Sequence, residues 1–162
     1  MMKWMFARSD APGAKLNLAV KAICLVSKPR YHVETLFSDG VSFSAQFGIG
    51  ARYKDIQYSH PERWDELCLP WITPEMEKGC RLKADIWYAL QASGVSQYDT
   101  LGAIGCAGSG MENPWDPFCS EVCYDILPQN MILSVLNHKL YPERLWLLGN
   151  LLNIIHIERT GQ

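Results

Sequence analysis

The sequence predicts an α+β fold: a small antiparallel sheet in the first half packed against helices in the second. Three observations carry this. Short runs rich in β-branched and aromatic residues, bounded by turn residues, lie before Pro70. After Pro70 the apolar residues recur at helical spacing between proline and glycine boundaries. Sheet and helix segments do not alternate in the way that parallel βαβ units require. The chain has 162 residues, 48% hydrophobic and 20% charged. That composition suits one folded domain over 1–162 with a core of its own.

Each element has a local reason. Residues 2–8 read as a short strand. Leu16, Val20, Ile23 and Cys24 place a helix over 15–26, and Pro29 closes it, because the residue before a proline avoids helical backbone. Tyr31 to Phe37 and Val41 to Phe47 form a hairpin around Ser38-Asp39-Gly40, whose glycine supplies positive φ. Gly48 and Gly50 turn the chain into a strand over 51–58, and 64–69 reads as another. Thr73-Pro74-Glu75 starts a helix with a cap, a proline at the first position and an acid at the positive end. Met76, Cys80, Ala84, Trp87 and Leu90 form its apolar stripe, and Gly94 ends it. A short helix near 98–104, a loop over 105–115 and helices over 117–127, 128–139 and 142–156 complete the chain.

Composition excludes several functions. The net charge of −2 gives no basic excess for phosphate, so nucleic acid is not an expected partner. No run reaches the ~18–20 apolar residues of an integral membrane segment. Arg8 and Asp10 interrupt the apolar start, so it does not read as a signal peptide. The six cysteines then read as reduced thiols, and the expected location is cytoplasmic. No cofactor or metal is expected. Gly105, Gly108 and Gly110 lack dinucleotide-binding spacing and follow no strand. Cys119 and Cys123 lack the second pair of a zinc site. Leu145 to Leu148 with Leu151, Leu152, Ile154 and Ile155 read as core, or alternatively as the contact of a weak homodimer or a membrane surface.

The chemistry-bearing segment is Asp116-Pro117-Phe118-Cys119. Asp116 suits an N-cap and Pro117 the first helical position, so Cys119 falls in the first turn, where unpaired N–H groups and the helix dipole favour a thiolate. A free cysteine is more commonly a small core residue, and Cys123, one turn on, reads as core. Among the histidines, His32 is the candidate base. Alternation puts it on one strand face with Glu34 and Leu36, although a hydrogen-bonded structural histidine is the plainer reading. His60, His138 and His156 read as surface or helix-end residues. The group that orients the base would be Ser44 or Gln46 on the return strand, or Glu34 on the same strand. Alternating serines more often mark a solvated face.

These residues resemble a family. His32-Val33-Glu34, then Phe37-Ser38-Asp39-Gly40 and a short strand, resemble the histidine hairpin of NlpC-type papain-like hydrolases. The histidine precedes the cysteine, and Phe118-Cys119-Ser120-Glu121 opens a late helix. That order is similar to the circularly permuted branch, YiiX-like and lecithin:retinol-acyltransferase-like, and above all to its phage and prophage members. Gly48-Ile49-Gly50-Ala51-Arg52, residues 61–64 (Pro-Glu-Arg-Trp) and Tyr98-Asp99 add to the likeness. Ser44 stands where the family usually has His, Asn or Gln.

The resemblance implies a permuted papain-like fold and a cysteine hydrolase that acts through a thioester. His32 would take the Cys119 proton, helix-start N–H groups would hold the oxyanion, and Tyr98 would donate a hydrogen bond at the site. The implied partner is a peptide or acyl-amide substrate, cell-wall peptides included. The alternatives are a lipid acyltransferase or thioesterase with an apolar groove near Trp115 and Phe118, and a catalytically silent structural or binding protein of a phage particle.

Overall fold

The structure is a computed structural model that describes residues 1–14, 16, 18–24, 27, 29–46, 48–55, 60–96, 119–128 and 142–160. Its elements are β1 (Lys3–Arg8), α1 (Leu18–Ile23), β2 (Arg30–Leu36), β3 (Val41–Gln46), β4 (Gly50–Asp55), β5 (Trp64–Cys68), α2 (Pro74–Ala92), α3 (Cys119–Asp125) and α4 (Pro142–Thr160). The fold is α+β. One five-stranded sheet runs in the order β4-β3-β2-β1-β5, every neighbour antiparallel, and α2, α3 and α4 pack against it.

The N-terminal strand lies inside the sheet, between β2 and β5. Trp4, Met5, Phe6 and Ala7 are all buried, so both faces are covered there and the hydrophobic run is continuous rather than alternating. The hairpin turns as its sequence requires. Phe37 N–H donates to Val41 O at 2.9 Å and Gly40 N–H to Phe37 O at 3.0 Å. Gly40 has φ 88°, the left-handed residue that lets a three-residue loop return without splaying the strands.

The predicted ends of α2 are present. Thr73 Oγ1 accepts from Met76 N–H at 3.2 Å, and Pro74 needs no acceptor. At the other end Gly94 has φ 75° and Val95 N–H reaches back to Leu90 O at 3.0 Å, which satisfies a terminal carbonyl. The predicted stripe needs one correction. Cys80 and Ala84 are buried, but Met76 is 40% exposed, because it sits in the first turn, ahead of the buried stretch.

Trp4, Phe6, Val33, Phe43 and Leu67 from the sheet meet Cys80 and Ala84 of α2, Val122 and Ile126 of α3 and Leu145, Leu148 and Leu152 of α4. The C-terminal apolar run is therefore divided. Leu145, Leu148 and Leu152 are core, while Leu147, Leu151, Ile154 and Ile157 are exposed. Polar contacts fix α4 at its start and two turns before its end. Arg30 pairs with Asp65 at 2.7 Å and Glu143 at 2.9 Å, with its guanidinium 3.9 Å from the Trp146 ring centre. Asn153 Nδ2 donates to Cys68 O at 2.9 Å and its Oδ1 accepts from Trp71 Nε1 at 3.1 Å. Among the described residues no helix is long and apolar enough to cross a membrane.

At Gly149 α4 packs closely on the sheet. A Cβ there would stand 2.4 Å from Leu67 Cδ2 and 3.0 Å from Trp4 Cζ3. Gly149→Val forces both to move, and this overpacking outweighs the gain in helix propensity over glycine, so a loss of about 2–3 kcal/mol is expected in urea unfolding. A midpoint equal to wild type would show that α4 does not sit this close.

Candidate active site

The site begins where β2 and β3 part. Their register consists of Thr35↔Phe43 and Leu36↔Ser42. Beyond it, carbonyls that a longer ladder would satisfy take side-chain donors instead. Val33 O accepts from Ser44 Oγ at 2.6 Å and from the Cys123 thiol at 3.6 Å, and Phe43 O lies 3.8 Å from the same sulfur. Burial pushes the Cys123 thiol well above its ordinary pKa, so it stays protonated and keeps its S–H for these contacts. Cys123 is core, as its position predicts, and it fastens α3 over the parting strands.

The other end of α3 is held by α2. Lys83 Nζ donates to Asp125 O at 2.9 Å and Leu127 O at 2.7 Å, and Trp87 Nε1 donates to Asp125 Oδ2 at 2.8 Å. A cation on the last carbonyls of a helix satisfies both their lone pairs and the negative end of the dipole. Cys119, one turn before Cys123, is the first described residue of α3 and is 2% exposed.

Cys119 lies close enough to His32 to act on its charge. Its Nε2 is 3.3 Å from Glu34 Oε1, a contact that the i, i+2 alternation of a strand makes available. Its ring meets Trp64 edge-on at 6.4 Å. Glu34, 4% exposed, is held from three sides. Oε1 also accepts from Arg52 Nη2 at 3.1 Å, and Oε2 accepts from Ser42 Oγ at 2.9 Å.

The electrostatics follow from this packing. Burial alone would lower the His32 pKa. The Cys119 charge and then Glu34 outweigh burial and raise it from 6.5 to about 10. Burial alone would raise Glu34. The hydrogen bond and charge of His32, the Arg52 charge and the Ser42 hydroxyl hold it down at about 2. The two shifts have opposite signs and share one cause: each group favours the charged form of the other.

The structure therefore brings Cys119, His32 and Glu34 together. Ser44 is buried, but its hydroxyl is committed to Val33 O and, at 3.3 Å, Ala45 O. Gln46 is half-buried at the end of β3, and no described hydrogen bond joins it to His32. The serine face is not a solvated one, since Ser42 and Ser44 are both buried. Ser42 and Arg52 are the members that sequence reasoning missed. Ser42 pairs with Leu36 and so lies diagonal to Glu34. Arg52 faces Ser44 across β3–β4, and extension of the register places only that small side chain between Arg52 and Glu34. Both signals depend on register. Tyr98, the Asp116–Pro117 cap, the 105–115 loop, Trp115, Phe118 and His138 lie outside the described residues. His60 is exposed and pairs with Glu62 at 3.1 Å. Among the described residues, no group of three or more His, Cys, Asp or Glu is arranged to hold a metal, and no disulfide joins the cysteines.

Glu34 has a lower pKa folded than unfolded. Its contribution to stability is therefore present above about 4.5 and is lost as pH falls toward 2. Glu34→Gln is expected to cost about 2–3 kcal/mol in urea unfolding at pH 6–7, with the penalty shrinking as pH falls through that window. A penalty that does not change with pH would mean that no ionised Glu34 is being lost. No protein-family model, curated protein or solved structure matches the chain.

Proposed function

We propose that the protein is a cysteine hydrolase in which Cys119 and His32 act as nucleophile and base on an amide bond of a peptide or cell-wall peptide. The observation that carries this is the proximity of Cys119 to a histidine whose Nε2 faces a buried carboxylate. With Nε2 on Glu34, the other ring nitrogen, Nδ1, is left for sulfur. Of the three candidates Ser44, Gln46 and Glu34, Glu34 takes the part of orienter, and it is the strongest because it is ionised and anchored on both oxygens.

The reaction follows from these groups. A proton passes from Cys119 Sγ to His32, which leaves a thiolate beside an imidazolium. Sulfur attacks the carbonyl carbon; the C–N bond breaks as His32 returns the proton to the departing amine, and a thioester remains. His32 then takes a proton from water as the water oxygen attacks the thioester. The acid leaves and Cys119 is regenerated. A lipid acyl donor would use the same steps with a different leaving group. The resemblance to permuted NlpC-type enzymes covers both kinds of substrate.

The burial of Cys119 favours a second reading, a catalytically silent protein whose Cys–His–Glu cluster serves packing. Cys119 is 2% exposed, and a nucleophile has to be reached by its substrate. One experiment separates the two. The protein is incubated with peptide amides, muropeptides and acyl esters, and acyl adducts are sought by mass spectrometry. Hydrolysis is expected, with a thioester mass on Cys119 and a loss of at least ~10³-fold in both Cys119→Ala and His32→Ala. An active Cys119→Ala protein would overturn the thiol mechanism. No turnover and no adduct on any substrate would favour the silent reading.

A further inference from the structure

We propose that Arg52 is a positioning residue of this site: it shares one carboxylate oxygen of Glu34 with His32, fixing the imidazole while drawing off part of the charge that grips it. This rests on the reading of Cys119 and His32 as a reacting pair.

The geometry is specific. Arg52 Nη2 and His32 Nε2 meet the same atom, Glu34 Oε1, at 3.1 Å and 3.3 Å. The other oxygen is taken by Ser42. The Arg52 side chain is 16% exposed, so its charge is only partly screened by solvent. Its one carboxylate partner among the described residues is Glu34, and its buried Nε has no hydrogen-bond partner among them. The guanidinium is therefore committed to this carboxylate and not to a surface ion pair. The titratable groups facing Glu34 and His32 among the described residues are Cys119 and Cys123 of α3 and Arg52 of β4.

The chemistry gives a reason for a cation here. His32 has to receive a proton and then release it to a leaving group. A buried carboxylate raises the proton affinity of the histidine it backs, which works against the second step. A cation on the same oxygen loosens that hold and still keeps the carboxylate ionised and in place. Lysine can supply the charge, and an uncharged residue cannot.

The test isolates His32 by removing the thiolate. The His32 imidazole is titrated by NMR in Cys119→Ala, alone and combined with Arg52→Gln, Arg52→Lys or Arg52→Met. The Met variant keeps the apolar stem and replaces Gln if that variant does not fold. Loss of the Arg52 charge is expected to raise the His32 titration midpoint by about 0.5–1 pH unit, with Lys remaining within about 0.3 unit of its parent. A residue that only braces the sheet would not move this midpoint. An unmoved midpoint in Gln and Met overturns the proposal, and so does a Lys variant that shifts as far as Gln. The underlying reading is checked separately by comparing Cys119→Ala with wild type. There the midpoint is expected to fall, and no change would mean that His32 and Cys119 are not a pair, whatever Arg52 does.

Discussion

A carboxylate that leaves water must be bound on every side or lose its charge, and Glu34 meets that requirement within a sheet. The surrounding architecture answers to it. β2 supplies His32 two residues away, β3 supplies the Ser42 hydroxyl from a diagonal position, and β4 supplies Arg52 from two strands away. Three strands must be in register for the charge to be tolerated. A one-residue slip would turn Ser42 or Arg52 to the opposite face and leave a buried anion without its partners. The same constraint that fixes the sheet thus fixes the direction of the His32 ring.

The second structural decision is the short β2–β3 ladder. Two strands that paired along their full length would leave α3 no carbonyls to bind. By parting after Thr35 and Phe43 they expose acceptors to Ser44 and to the Cys123 thiol. Cys123 therefore gives α3 a polar attachment as well as an apolar one. Lys83 and Trp87 hold the helix from its other end. Cys119 is thus located by these anchors of its helix as well as by its own packing in the core.

Much of this was legible in the sequence because local chemistry decided it. The Asp39-Gly40 turn, the Thr73-Pro74 start and the Gly94 stop each have a backbone reason that holds whatever the tertiary structure. The strand alternation at His32, Glu34 and Leu36 held for the same reason. The choice among Ser44, Gln46 and Glu34 was not legible, since it depends on where a ladder ends, and no property of a single strand sets that. Arg52 and Lys83 were opaque for a related cause. Each is an ordinary surface residue by composition and takes its role from a partner more than fifteen positions away. Met76 shows the limit of periodicity, which marks a stripe without saying where the packed stretch begins.

The distance along the chain between His32 and Cys119 also has a consequence for assembly. All five strands lie before Leu69, so the hairpins that set the sheet's register are available to an emerging polypeptide well before α3 has been made. The helix that brings the sulfur must then dock onto strands already in place, a contact of long sequence separation that forms late. Until it does, the imidazole and the thiol are strangers, and a nascent chain carries neither half of the pair in its finished state. The meeting of His32 and Cys119 is therefore among the last contacts this polypeptide forms, and it arrives with the closing of the core.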